Sequence, residues 1–171
     1  MARPAVGLIV HCVAIGFTKN RKRALKGLVI AEPWIGKILT GEKTWEMRSR
    51  DTAVRGRIAL IRKGSKTIVG VADLVGTVLN LSHSDLKASI EKHRVPVREI
   101  DGRFKHTTAW VLECTRPLRE PIPYQHPAGA IVWVNLDPEI SAKVEQQLAT
   151  GVGYQRLCGM TTRIFCGSTR S

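Results

Sequence analysis

Lys43, Glu46 and Arg48 stand close together in the stretch GEKTWEMRSR, around the lone Trp45. An ammonium brings three hydrogen-bond donors, a guanidinium a planar fork of five, and a carboxylate only acceptors. With Trp34 a few residues upstream, this set can build a small polar cleft. Arg48 can grip a phosphate or a base edge, Glu46 can accept from a base amino group, and Lys43 adds a mobile positive charge. Trp34 can stack on a base, an interaction worth about 1–3 kcal/mol in single-strand binders. Each residue also has a plainer reading. Glu46 and Arg48 can simply pair with each other as a surface contact worth roughly 0–1 kcal/mol. A tryptophan placed like Trp34, on the apolar face of a helix, is more often core than platform.

The surrounding elements must hold these side chains together. LKGLVI, from Leu25 to Ile30, reads as a strand, and Glu32-Pro33 opens a short helix in which Trp34, Ile35, Ile38 and Leu39 recur at helical spacing. Gly41 ends it. TWEMRSR follows as a strand whose period of two sends Trp45 and Met47 to one side, Glu46 and Arg48 to the other. Lys43 has the wrong parity for that face and has to reach it from the turn. RIALIRK and TIVGVADLVGTVLNL, joined by Gly64-Ser65-Lys66, read as a hairpin, with Gly70 and Gly76 marking bulges in its long second strand. Ser82 and Asp85 form a capping box for a helix running to about Arg94, stopped by Pro96. TTAWVLECTRPL and AGAIVWVNL add two late strands, with Trp110 and Trp133 as core candidates, and ISAKVEQQLA a terminal helix.

Composition bounds the partners. The chain of 171 residues carries a formal charge of +13, which favours an anionic partner such as nucleic acid or an acidic membrane surface, without choosing between them. Arg48, Arg50, Arg55, Arg57, Arg62, Lys63 and Lys66 have only Asp51 among them as an acid. That run is either a solvated face or a patch for nucleic-acid phosphates. Cys12, Cys114, Cys158 and Cys166 show no paired spacing, so neither a zinc site nor a disulfide framework is expected, and the default location is the reducing cytoplasm. His83, His93, His106 and His126 lack metal spacing and read as surface or capping residues. Neither a metal nor another cofactor is expected. The apolar run from Ala5 to Phe17 is too short to span a membrane, which takes roughly 20 residues, and is a poor secretory signal.

The run EPWIGKILTGEKTWEMR, continuing to VRGRIAL, resembles the ASCH (activating signal cointegrator homology) domain. The family's signature pairs Pro-Trp on a short helix with Gly-x-Lys-x-x-Glu-x-Arg, here Pro33, Trp34, Gly41, Lys43, Glu46 and Arg48. The resemblance spans roughly residues 25–137. It implies an α+β fold, a small PUA-like β-barrel of five to six strands with two to three short helices. Residues 1–24 would then be an extension, and 138–171 a short helix with an irregular tail. The resemblance further implies binding of RNA or a modified nucleotide, with DNA left open. Some small bacterial proteins similar to this family are instead amidohydrolases acting on acetylated cytidine through a lysine, a threonine and a glutamate, and another is a ribonuclease. Lys43 matches that lysine, but Glu46 stands where the threonine would be, and Glu91 is the only counterpart for the second glutamate. A carboxylate beside Lys43 is expected to keep it protonated, which opposes copying the amidase mechanism.

Overall fold

The computed structural model describes residues 24–102 and 104–150. The apolar run from Ala5 to Phe17, and Cys12, Cys158 and Cys166, lie outside them. The described chain forms a six-stranded sheet, with β1 (Lys26–Ile30), β2 (Trp45–Arg48), β3 (Gly56–Arg62), β4 (Thr67–Val78), β5 (Thr108–Pro123) and β6 (Trp133–Asn135). Their spatial order is β2-β5-β4-β3-β1-β6. Only the β1–β3 pair is parallel, which the intervening α1 (Trp34–Leu39) and β2 make possible.

Alternation along the strands divides the core. Ile58 and Leu60 of β3 face α1 together with Leu28 and Ile30, whereas Ala59 and Ile61 face the opposite cluster with Val29 and Val71. α5 (Pro138–Thr150) closes this second cluster with Val144, which is fully buried. Ser141 ties the same helix to β1 by accepting the Leu25 backbone N–H at 3.1 Å. A third cluster, around Met47, Leu86, Val95 and Ile100, seals the end of the sheet where α2 (His83–Ala88), α3 (Ile90–His93) and α4 (Val97–Asp101) pack.

The β3–β4 hairpin forms as expected, and β4 slips register beside both Gly70 and Gly76. Such irregularities bend a strand and increase its twist, so the sheet curls into a half-barrel. β5 contributes a bulge of its own. Cys114 and Thr115 lie between the pairs Val71–Arg116 and Asp73–Glu113, opposite Ala72 alone, and Cys114 takes φ 49°.

Three expectations need correction. Cys114 is disulfide-bonded, although the cysteine spacing signals no pairing. The Ser82 helix is not continuous: its capping box forms, but Ser89 interrupts it and Arg94 adopts a left-handed φ of 59° before Pro96. Three short helices, α2, α3 and α4, therefore stand where one is expected. Finally, His93 is neither a surface nor a capping residue but fully buried. Backbone groups satisfy both ring nitrogens, so the polar ring is held inside without an unpaired atom.

Candidate functional site

Gly41, at φ 80°, lets the chain turn back after α1, in a conformation that glycine adopts without a Cβ clash. The returning backbone is pinned between two elements. Thr44 donates its N–H to Lys92 O of α3 at 2.9 Å and accepts from Leu112 N–H of β5 at 2.8 Å. β2 then pairs antiparallel with β5, placing Glu46 opposite Trp110.

Lys43, Glu46 and Arg48 meet as their spacing predicts. Glu46 Oε1 lies 3.1 Å from Arg48 Nη2, and its Oε2 lies 3.5 Å from Lys43 Nζ. Their burial was not foreseen. Lys43 is 2% exposed and Glu46 6%, so this is no surface ion pair. Lys43 Nζ also donates to the carbonyls of Trp45 and of His93, the latter at 3.0 Å. Three acceptors thus surround a group that has three donors when protonated. Burial nevertheless lowers the Lys43 pKa below the ordinary lysine value; the neighbouring Glu46 opposes this, while Arg48 and Lys37 add to it. Glu46 does favour the protonated lysine, as expected from the sequence, but desolvation is the larger influence.

Arg48 Nη2 donates to Val29 O at 2.9 Å, and its guanidinium carbon lies 5.5 Å from the Trp110 ring centroid. Its buried Nε has no hydrogen-bond partner. Trp110 is anchored in turn by donating Nε1–H to Arg50 O at 3.0 Å and by stacking on Trp133 at 5.3 Å. Trp34 is half-buried. It packs against the clusters on both sides, and Lys37 and Lys43 reach within 5.5 and 5.2 Å of its ring.

These groups line a cavity of about 350 Å³, walled by Trp34, Lys43, Glu46, Met47 and Arg48. Val95, Glu99, Phe104 and His106 line it too, as do Val29, Ala31, Lys63 and Ile131. Glu99, Phe104, His106 and Ile131 escape a reading by local motif. They come from α4 and from two loops with no periodic pattern, which only the tertiary fold brings to the cavity. Phe104 meets His106 edge-to-face at 5.4 Å. Glu91, the counterpart of the amidases' glutamate, is exposed on α3 and does not line the cavity.

The basic run does not form one surface. Lys63 lines the cavity, while Lys66 is exposed at the hairpin turn with φ 55°. Arg62 pairs with Glu32 at 3.1 Å. Arg57, of opposite strand parity, lies 3.7 Å from Asp73 and 3.4 Å from Glu145 of α5. Arg55 donates to the Thr52 and Val54 carbonyls at 2.6 and 2.7 Å, and the Arg50 side chain is exposed. Among the described residues no His, Cys, Asp or Glu cluster could hold a metal, and no helix is long and apolar enough to cross a membrane.

Comparison with known proteins identifies the frame in which this cavity sits. The ASCH domain profile matches residues 28–125. A crystal structure titled ASCH from Zymomonas mobilis is similar at a TM-score of 0.55 and 22% identity, covering 75% of this chain and 95% of that one. A single-residue variant of the Zymomonas protein gives 0.56 at 21% identity, covering 73% and 96%. Comparison with curated proteins finds no match. Since the profile spans more than half of the chain and takes in all six signature positions from Pro33 to Arg48, this protein belongs to the ASCH domain family.

Proposed function

We propose that the cavity binds a nucleotide of RNA, with the base inside and the phosphate toward Lys63. The observation that carries this reading is the shared cavity wall of Trp34, Glu46 and Arg48, which combines a ring face with an acceptor and donors of fixed orientation. Glu46 is held by two cations, so its remaining lone pairs are aimed and can accept from a base amino or imino N–H. Arg48 keeps donors beyond the two contacts of its Nη2 and can meet a base carbonyl. The half-buried Trp34 ring offers a stacking wall. Lys63, exposed at the edge, suits a phosphate as a mobile point charge.

The test is a titration of wild type and Arg48→Ala with single-stranded RNA and with DNA of the same sequence. The expected result is binding that falls roughly tenfold or more in the variant, since hydrogen bonds to charged groups contribute about 1.5–3 kcal/mol. Equal affinity of both proteins for RNA would refute the placement. A preference for DNA would transfer the reading to that polymer.

One observation favours a second, enzymatic reading. Burial lowers the Lys43 pKa, as a lysine acting as base requires. Against it, the two carbonyls and Glu46 occupy all three donors of the ammonium. Release of acetate from acetylated cytidine decides between them. No turnover is expected; turnover that vanishes in Lys43→Met, a variant that keeps most of the buried stem, would establish the enzyme.

A further inference from the structure

His93 does not line the cavity, but its backbone carbonyl holds Lys43, which does. The ring is fully buried, with Nε2 2.8 Å from Leu86 O and Nδ1 accepting the Val95 N–H at 3.0 Å. These two bonds require one tautomer of the neutral imidazole, with the proton on Nε2. They clamp a corner of three residues between α3 and α4. At its centre Arg94 takes a φ of 59°, a conformation uncommon for a residue with a Cβ. Two parts of that corner bear on the cavity: His93 O accepts from the lining Lys43 Nζ at 3.0 Å, and Val95 forms part of the wall.

We infer that His93 is a positioning residue for the cavity, its ring locking the corner whose carbonyl holds the Lys43 ammonium and whose next-but-one residue walls the ligand space. The inference rests on the nucleotide reading only for its consequence in binding; the coupling itself concerns the free protein. Protonating Nδ1 replaces the acceptor for Val95 N–H with a second donor, so that bond is lost. The corner relaxes, and the carbonyl that orients Lys43 moves with it. Burial disfavours the charged ring, and the ammonium of Lys43, the charged group facing it, does the same, while the bond to Leu86 O opposes both. The lock therefore holds at neutral pH and opens only under acid conditions.

The test is a pH titration of the full chain by NMR, following the His93 ring and the Lys43 Cε signal in isotope-labelled protein, with circular dichroism in parallel. Coupling predicts that Lys43 Cε moves with the midpoint of the His93 ring while the circular dichroism is unchanged. In His93→Asn, which keeps an acceptor near Val95 N–H and does not titrate, that step should be absent. A Lys43 signal that stays flat through the ring transition, or that moves only as the fold melts, overturns the inference. The wild-type titration decides this even if the variant fails to fold. Affinity for a labelled single-stranded RNA should weaken across the same interval. If Lys43 moves with His93 but wild type binds no RNA at any pH, the nucleotide reading fails and the positioning role stands.

Discussion

At Glu46 a single buried carboxylate answers two cations, and this arrangement fixes what substitution there should do. Glu46→Ala would leave Lys43 and Arg48 without their shared counter-charge in a site where Lys43 is 2% exposed. Removing one member of a buried pair typically costs about 3–5 kcal/mol. Urea unfolding of Glu46→Ala should show a loss of that order; a loss near zero would mean that the three charges do not depend on one another in the folded state. His93 gives a pH prediction at the same scale. Its folded pKa is lowered from the usual 6.5, chiefly by burial. The unfolded chain therefore takes the proton first, and the stability tied to the neutral ring is complete above about pH 6.5 and lost as pH falls through the folded value. Urea midpoints measured downward from neutral pH should fall more steeply in wild type than in His93→Asn. At this scale the sequence was informative about partners but not about depth. Strand parity brings Glu46 and Arg48 together, whereas the burial of Lys43 and His93 depends on α3 packing against the β2 turn, which no local pattern encodes.

Among the elements, β4 and α5 carry the shape. Gly70 sits where β4 slips register, and a Cβ built there would meet Arg116 O at 2.8 Å and Leu39 Cδ2 at 2.5 Å. The backbone oxygen cannot swing away, so Gly70→Ala should destabilise by about 1–3 kcal/mol through overpacking, read as a lower urea midpoint. An unchanged midpoint would show that the strands separate there at no cost. α5 follows the last strand, yet Val144 and Ser141 are buried on the sheet. We therefore expect a fragment of residues 24–150 to melt cooperatively, and one ending at residue 137 to lose stability because Val144 and the acceptor for Leu25 N–H go with the helix. Equal melts would make α5 dispensable. The hairpin, both glycine bulges and the Ser82 capping box were legible because each is a local rule. The break at Ser89 and the extension of β5 to Pro123 were not, since tertiary packing and sheet pairing override local preference there.

For the whole molecule, charge and cavity make separate predictions. Although the chain carries +13, Arg57 and Arg62 are engaged by acids and the basic run is spread over different faces. If Lys63 contacts a phosphate at the cavity edge, Lys63→Ala should flatten the salt dependence of RNA binding by about 0.7 in log–log slope, the contribution of one phosphate on a single strand. Arg57→Ala should leave that slope nearly unchanged. Equal flattening by both would instead favour a broad electrostatic surface. The total charge was plain from composition, but its division among faces required the fold. Whether RNA enters the cavity can be tested most directly by ultraviolet crosslinking of single-stranded RNA to the full chain, with mass spectrometry locating the modified residues. Adducts on the cavity aromatics Trp34 and Phe104, lost when Arg48 is replaced by Ala, are the predicted result; adducts confined to residues outside the cavity would contradict the account.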